Sequence, residues 1–413
     1  MEASEVTSPG GPYLLEVVDQ LWPGGRVSTG RLLSRPVASA PGAVSFFALP
    51  RASAPSMLIP ADSREVTSTA LREAKTGSTP HRRRLLRGLS VAARLGLASA
   101  FAERVTVVPG SSLPEDSLLS WLSDRLDQPL NISMSSSPPR ANRKPVLHLI
   151  GDDGETVAFV KVGHNTLTRR LVRAEGQALL HLGTRPAPRI RTPAVLLHDQ
   201  WEEMEILVLE PLVPSGAQGE HLPADLSDIM SGFARRGAVQ SSDFASSSYL
   251  DRLRRRIDGV LDAPGLNVAF RDDLDDISRR SDGRLLALGD GHGDFTPWNL
   301  ARDGEGLIVW DWERFEQGVP LGFDALHYAF QLDVARGGIP AAKAAEGLFA
   351  RSAGILAPFG VEPDVAELIT ALYLLDIGVR YSTDGQRLMR APLARVEDWL
   401  LPALAARRST RVG

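Results

Sequence analysis

At Pro211 the pattern of apolar residues in this 413-residue chain changes from short, strand-length runs to long, helix-periodic segments. Before this point, a helix-length segment over 168–182 lies among strand-like runs at 130–135, 146–150, 156–162, 194–198 and 205–209. After it, helical periodicity covers 252–261, 325–334, 341–353, 365–381 and 394–406. We therefore predict an α+β fold in which a small antiparallel sheet with one helix precedes a mainly helical region.

Residues 1–113 form a separate region that is rich in Gly, Pro, Ser and Ala. Strand-like runs are predicted at Val44–Leu49, 57–59 and 104–108, and helices at 65–75 and 81–99. In the second of these helices, Leu85, Leu89 and Ala92 define the predicted core face. The predicted domains are an accessory α/β region of unknown role over 1–113, a small β-rich lobe over 114–212 and a helical lobe over 213–413.

The composition excludes several classes of protein. Apolar residues make up 43% and charged residues 23% of the chain, a mixture typical of globular domains rather than disordered or fibrous chains. The net charge of −4 provides no field to attract nucleic acid or an anionic membrane, so neither is an expected partner. The absence of cysteine excludes disulfides, thiolate catalysis and cysteine-ligated metals. With no recognisable signal peptide and no apolar run of about 18 residues, the expected location is the cytoplasm.

Chemically functional residues are densest in the segment 292–299, which reads His-Gly-Asp-Phe-Thr-Pro-Trp-Asn. A loop presents Asp294 and then Asn299, and a short apolar strand is predicted to end in Asp311. Phosphoryl transfer needs a carboxylate that orients the attacking hydroxyl and accepts its proton. It also needs oxygen ligands, such as an amide and a second carboxylate, to hold Mg²⁺ against the phosphates. The three side chains match these requirements.

The pattern H-G-D-F-x-P-x-N followed by D-W-E resembles that of the aminoglycoside phosphotransferase and choline kinase-like family, whose members are relatives of the protein kinases. The resemblance covers residues 130–400 and implies a two-lobed, protein-kinase-like fold with nucleotide and Mg²⁺ between the lobes. It implies that Asp294 is the catalytic base and that Asn299 and Asp311 are metal ligands. The implied reaction moves the γ-phosphate of ATP, or of GTP, to a hydroxyl group of a small molecule.

A second candidate pair lies upstream of this segment. Lys161 belongs to an apolar strand, where alternation places it opposite Val160 and Val162. Glu175 falls inside the apolar stripe of the following helix, where a carboxylate is costly unless it is paired. Lys161, one of four lysines in the chain, is its predicted partner. In kinases such a pair holds the lysine against the α- and β-phosphates. The alternative is an edge-strand lysine and an unrelated glutamate.

The loop expected to cover the phosphates, residues 133–140, contains no glycine. Glycine normally allows backbone N–H groups to approach phosphate closely. The hydroxyls of Ser135 and Ser136 are therefore the candidate donors, and Arg140 or Arg143 can reach the phosphates as well.

Residues 205–212 correspond, by the resemblance, to the hinge between the lobes. Backbone groups of Glu210 and Leu212 are the implied partners of the adenine base. Pro211 between them has no N–H to donate, so the pattern depends on its two neighbours.

Three residues near the central segment allow more than one interpretation. His292 either braces the loop through backbone hydrogen bonds or takes part in acid–base chemistry beside Asp294. Glu313 is predicted on the same strand face as Asp311, where it meets the metal through water, contacts substrate or pairs with an arginine. Asp324 is predicted to be a helix N-cap, and by the resemblance it is an aspartate at a helix start.

Two functions from other classes compete with a small-molecule kinase. A non-catalytic, kinase-like binding or scaffold protein is disfavoured because no base, metal ligand or lysine is missing. A protein kinase is disfavoured by the D-W-E sequence and by the absence of an A-P-E element. The acceptor stays open among sugars, aminoglycosides, amino alcohols and amino acids, and so does the oligomeric state. An acidic cluster, Asp272, Asp273, Asp275 and Asp276, is interpreted as a solvated segment rather than an acceptor site.

Overall fold

The structure is a computed structural model that describes residues 13–30, 42–74, 80–110, 117–136, 140–215, 222–261, 263, 265–304, 306–388 and 393–409. The chain divides into two compact units where the sequence predicted three regions. The sheet unit comprises Met1–Pro138, Lys144–His164 and Leu196–Pro211. The helical unit comprises Pro139–Arg143, Asn165–Val195 and Leu212–Gly413.

Strands and helices alternate along the chain. The strands are β1 (Arg26–Gly30), β2 (Val44–Leu49), β3 (Met57–Pro60), β4 (Glu103–Val108), β5 (Leu130–Ser135), β6 (Val146–Gly151), β7 (Thr156–Gly163), β8 (Ile190–Arg191), β9 (Val195–Trp201), β10 (Met204–Leu209), β11 (Gln240–Asp243), β12 (Leu285–Gly291), β13 (Leu300–Asp303), β14 (Gly306–Val309) and β15 (Glu316–Pro320). The helices are α1 (Tyr13–Leu21), α2 (Arg64–Glu73), α3 (Pro80–Arg94), α4 (Leu118–Arg125), α5 (Thr166–Thr184), α6 (Leu226–Ala234), α7 (Ser248–Asp258), α8 (Leu266–Arg280), α9 (Phe323–Gln331), α10 (Ala341–Leu356), α11 (Pro363–Thr383) and α12 (Val396–Ser409).

The sheet unit is built on one nine-stranded sheet in the order β1-β4-β2-β3-β5-β6-β7-β10-β9. Strand pairs from β1 to β10 in this order are antiparallel. The pairing of β3 with β5, in which Leu58 lies opposite Met134, joins the strands before residue 113 to those after it. The N-terminal region therefore shares backbone hydrogen bonds with the strands predicted to form the small lobe.

Period-two alternation gives this sheet two apolar faces. Phe46 and Ala48 pack on the face that α1 and α4 cover, whereas Phe47 packs on the face that α2 and α3 cover. Sequence analysis missed α1, whose Leu14, Val17, Val18 and Leu21 are all buried. The predicted core face of α3 is wrong by one position: Leu86 and Ala93 are buried, and Leu85 is 62% exposed.

The helical unit holds most of the remaining helices around α11, whose residues are buried on nearly every side. Two small sheets complete it, in the orders β11-β12-β15 and β13-β14-β8. The predicted α+β class is confirmed. Among the described helices, none combines the length and the apolar character needed to cross a membrane.

Candidate active site

The central loop begins where β12 ends at Gly291. Gly293 has a φ of +79°, in the left-handed region, and a Cβ there would lie 2.5 Å from the carbonyl oxygen of Arg314. Only glycine fits this position without a shift of backbone. The close approach brings the loop against the segment that follows Asp311.

A buried carboxylate from α9 holds the loop from the other side. Asp324, 7% exposed, accepts the backbone N–H of His292 at 2.8 Å and that of Gly293 at 2.9 Å. The N-cap prediction for Asp324 is wrong. The cap position is Gly322, and Asp324 lies in the first turn of the helix with both oxygens directed to the loop. Charge-assisted hydrogen bonds of this kind are among the stronger ones in proteins.

His292 is completely buried and both of its ring nitrogens meet backbone. Nε2 lies 2.9 Å from the carbonyl oxygen of Trp310, and Nδ1 accepts the N–H of Asp294 at 3.1 Å. The proton therefore resides on Nε2, which donates to the carbonyl. With neither nitrogen left for a substrate proton, this geometry favours the bracing interpretation over acid–base chemistry.

The Asp294 carboxylate is held at both oxygens. His327 Nε2 lies 3.1 Å from Oδ1, and the Asn299 side-chain amide donates to Oδ2 at 3.0 Å. His327 Nδ1 in turn lies 3.0 Å from the hydroxyl of Tyr373 on α11. The consistent assignment has Tyr373 donating to Nδ1 and His327 donating through Nε2–H to Asp294. Sequence analysis missed His327 and Tyr373, because their contact depends on how α9 packs against α11.

Nearby charges and burial shift the pKa of the Asp294 carboxyl in opposite directions. Burial raises its pKa, but the hydrogen bond from His327 and the nearby positive charge of Arg380 outweigh that effect and hold the pKa well below its usual range. Burial lowers the pKa of His327. At neutral pH the pair therefore consists of a carboxylate and a neutral imidazole. Arg380 also donates to the carbonyl oxygen of Gly293.

Asn299 and Asp311 are brought together by the β13–β14 hairpin. The antiparallel register pairs Leu300 with Val309, and the N–H of Trp310 donates to the carbonyl of Asn299 at 3.0 Å. Asp311 follows the strand with a φ of +61°. The strand prediction through residue 313 is wrong: β14 ends at Val309, and a 3₁₀ turn covers Trp312–Arg314.

These two side chains fit a magnesium ion by the chemistry of their donors. Since the amide nitrogen of Asn299 donates to Asp294, its Oδ1 is the atom that can act as a ligand. Among the described residues, no cluster of three or more His, Cys, Asp or Glu side chains forms a dedicated metal cage. Mg²⁺ typically uses one or two protein oxygens and completes its shell with phosphates and water. The pair from the hairpin is suited to that mode of binding.

Glu175 and Lys161 lie in different units, and their pairing stays a prediction. Glu175 is completely buried on α5, where Oε1 accepts the backbone N–H of Trp312 at 3.3 Å. Lys161 is 8% exposed on β7, an interior strand between β6 and β10, so the edge-strand alternative is wrong. The predicted burial of the Glu175 carboxylate is correct, and its contact with the residue after Asp311 was not foreseen.

The remaining nucleotide candidates follow strands of the sheet unit in the chain, and the last of them, Leu212, is the residue at which the helical unit resumes. Ser135 is the exposed last residue of β5, and the N–H of Ser136 donates to the carbonyl of Ser56 at 3.1 Å. Glu210 follows the last residue of β10 directly, and Leu212 is 8% exposed. Residues 137–139 of the glycine-free loop lie outside the described residues.

The end of that loop belongs to the helical unit. The N–H of Ala141 donates to Gln386 Oε1 at 3.2 Å, and Gln386 Nε2 donates to Asn142 Oδ1 at 3.3 Å. Asn142 then donates to Glu313 Oε1 at 3.4 Å. Of the three interpretations of Glu313, none included this contact with the loop.

A cavity of about 660 Å³ lies beside the loop within the helical unit. Gly293 and His327 form part of its wall, and α11 supplies Tyr373, Asp376 and Arg380 at the spacing of one helix face. This volume is in the range of sites for small molecules. None of the clustered aspartates at 272–276 is part of this wall. Asp273 is instead 2% exposed and pairs with Arg408 at 3.0 Å, so the solvated interpretation fails for that residue.

Loss of the Tyr373 hydroxyl tests the connection between α11 and Asp294. We expect Tyr373→Phe to lower the kcat of the reaction at this site by about tenfold, the equivalent of one net hydrogen bond. The reason is that the hydroxyl fixes the tautomer through which His327 donates to Asp294. Tyr328→Phe, adjacent to His327 on α9, is the matched control and should retain full activity. Equal kcat values for the two variants would show that this hydroxyl does not act on Asp294.

No family model and no curated protein matches the sequence. Among solved structures, the chain is similar to aminoglycoside phosphotransferase APH(4)-Ia in a ternary complex with ADP and hygromycin B, at 13% identity and a TM-score of 0.46, covering 72% of this chain and 99% of that one. It is similar to the amicoumacin kinase hAmiN in complex with AMP-PNP and Ca²⁺, at 11% identity and a TM-score of 0.42, covering 65% and 86%.

A third similar structure is a choline/ethanolamine kinase family protein from Mesorhizobium loti, at 14% identity and a TM-score of 0.39, covering 64% of this chain and 85% of that one. The two families named on the sequence motifs are thus both represented among the structural neighbours.

Proposed function

We propose that this protein is a phosphotransferase that moves the γ-phosphate of ATP, or of GTP, to a hydroxyl group of a small molecule. The observation that carries the proposal is the setting of Asp294. Its carboxylate is kept ionised, is oriented by His327 and Asn299, and belongs to the loop whose Gly293 lines a cavity of about 660 Å³. A carboxylate so placed can orient a hydroxyl and accept its proton.

The reaction assigned to this site is a single displacement. The hydroxyl oxygen of the acceptor forms a bond to the γ-phosphorus while the bond from that phosphorus to the bridging oxygen breaks, and the nucleoside diphosphate leaves. Asp294 takes the proton of the hydroxyl. A low pKa makes Asp294 a weak base, so its main contribution is orientation, as expected for a loose phosphoryl transition state.

The metal and nucleotide residues follow from the same proposal. Asn299 and Asp311 would hold Mg²⁺, which when bound neutralises charge on the phosphates. Lys161, braced by Glu175, would bind the α- and β-phosphates. Ser135 and Ser136 would donate hydroxyls to phosphate, and backbone groups at Glu210 and Leu212 would bind the base.

Nucleotide-dependent thermal stability tests the proposal directly. We expect Mg²⁺ with ATP, or with GTP, to raise the Tm of the protein, because a ligand at a hundredfold excess over Kd stabilises the native state by about 2.7 kcal/mol. Asp311→Asn should abolish the part of the shift that depends on Mg²⁺. Asp303→Asn, at the opposite end of the same hairpin, should retain it.

The two nucleotides tested separately identify the phosphate donor. A shift with neither nucleotide would overturn the proposal and favour the non-catalytic alternative. A shift that Asp311→Asn and Asp303→Asn retain equally would overturn the assignment of the metal ligand.

A further inference from the structure

The wall of the cavity beside Asp294 carries ten charged side chains, and its carboxylates are occupied. Asp324 accepts two backbone N–H groups, and Asp376 pairs with Arg256. Asp384, 3% exposed, is shared by Arg314 and Arg170. Glu316 pairs with Arg252 at 2.8 Å, and Glu313 accepts from Asn142. Every acidic side chain of this wall thus has a partner from the protein itself.

Two arginines of the same wall, in contrast, are exposed and are not fully paired with carboxylates of the described residues. Arg255 is exposed, lines the cavity and bonds to the backbone carbonyl of Asp251, and it has no carboxylate partner among the described residues. Arg170 is 64% exposed and competes with Arg314 for one carboxylate. Guanidinium groups are thus more available to a ligand than carboxylates. A polycationic acceptor would need the opposite arrangement, since each desolvated amine requires an acidic partner.

Helix α11 contacts both an arginine of the cavity wall and a residue that holds Asp294. Asp376, which binds Arg256, lies three residues from Tyr373, which reaches Asp294 through His327. Three residues correspond to about 4.5 Å of helix rise. Gly293, His327 and Arg255 all line the same cavity, and its volume of about 660 Å³ is in the range of sites for small molecules. Arg255 precedes Arg256 on α7 and lines the same cavity.

We propose that the acceptor carries a carboxylate or phosphate group in addition to the hydroxyl that receives the phosphoryl group, and that Arg255 binds this anionic group. This inference rests on the proposed function and deepens it. Arginine binds both kinds of anion through its fork of N–H donors. Binding at Arg255 places the hydroxyl end of the acceptor toward Asp294.

The test compares acceptors that differ only in the anionic group. Glucose is assayed against glucuronate and glucose 6-phosphate, and glycerol against glycerate and glycerol 3-phosphate, with hygromycin B as the polycation. Release of nucleoside diphosphate is followed with Mg²⁺ and the nucleotide that shifts the Tm. We expect an anionic acceptor to exceed its neutral parent at least tenfold in kcat/KM. The carboxylate and phosphate arms then identify which anion is used.

Two arginine variants assign the effect. Arg255→Gln should raise the KM for the anionic acceptor by about tenfold or more and leave the neutral parent unaffected, because a hydrogen bond to a charged group has been removed. Arg254→Gln is the control on the same helix, since Arg254 pairs with Asp251 and is not part of the cavity wall. Arg255 makes no ion pair with any residue that the structure describes, so its variant should fold with an unchanged Tm in the absence of ligand.

Several outcomes would overturn the inference. One is preferential use of hygromycin B or of a neutral parent, and another is an equal rise in KM for the Arg255 and Arg254 variants. A third is that none of the compounds is phosphorylated although Mg²⁺-nucleotide still raises the Tm. That result would support the nucleotide site and contradict the proposed class of acceptor. Loss of the nucleotide shift itself would instead overturn the proposed function.

Discussion

Asp294→Asn should lower kcat by a factor of about 10² to 10⁴, the range expected for loss of a positioned general base. An asparagine can still accept from His327 or Asn299 at its oxygen, but it can neither orient the acceptor hydroxyl as a carboxylate does nor take its proton. The site should keep its shape, because the two side chains are nearly the same size. Asp282→Asn, at an exposed turn, is the control and should retain wild-type activity.

Separate measurements distinguish loss of the base from loss of the site. The Mg²⁺-nucleotide shift in Tm should persist in Asp294→Asn, since Asn299 and Asp311 are unchanged. In the wild type, kcat/KM should not fall between pH 8 and pH 6 through protonation of Asp294, because the pKa of that carboxyl is held below its usual range. Retention of more than a tenth of wild-type kcat in Asp294→Asn would contradict the role of base.

The residues on the loop could be found from the sequence because they are close together in the chain. Asp294 and Asn299 are five positions apart in one loop, and the Asn299 side chain donates to Asp294. Asp311 follows the hairpin strand whose register places Trp310 against Asn299, and its role as a metal ligand stays a prediction. The burial of Glu175 was likewise predictable, since it follows from helical periodicity. In each case the relevant geometry is local.

The residues that orient the base could not be found in this way. His327 and Tyr373 are separated by 46 positions and meet because α9 packs against α11. A histidine and a tyrosine in helical segments carry no pattern that distinguishes them from core residues. The same limit applies to Arg380, which reaches the carbonyl of Gly293 across 87 positions. What the sequence did offer was the presence of polar residues, Tyr373 and Arg380, within the largely apolar segment that forms α11.

The joined nine-stranded sheet was also beyond local reasoning. Eight of the nine strands of this sheet were predicted with nearly correct bounds and β1 was not predicted, yet the pairing of β3 with β5 depends on long-range register. The predicted core face of α3 was wrong for a related reason. Its sequence offers two adjacent apolar stripes, and packing against α2, with Ser90 bonded to Ser68 at 2.9 Å, selects the one that contains Leu86.

Asp324→Ala should reduce the free energy of unfolding by about 2–6 kcal/mol and also impair transfer. The substitution leaves the buried N–H groups of His292 and Gly293 without the acceptor that each has now, at a cost of about 1–3 kcal/mol apiece. The lost hydrogen bonds hold the backbone that positions Asp294. The decrease in kcat should therefore be larger than the decrease in the folded fraction of the protein. Urea denaturation gives the first quantity, and kcat at a temperature where the variant is folded gives the second.

Asp333→Asn is the control that distinguishes loss of the Asp324 hydrogen bonds from loss of any carboxylate in this region. Asp333 follows α9 and pairs with Arg351 near the surface, where an ion pair contributes about 0–1 kcal/mol. Its substitution should therefore change neither kcat nor unfolding appreciably. If Asp324→Ala were as stable and active as Asp333→Asn, the loop would be held by Gly293 and His292 alone, and the carboxylate from α9 would not be needed to place the base. A variant that loses stability but keeps its kcat when folded would assign Asp324 to the core rather than to the active site.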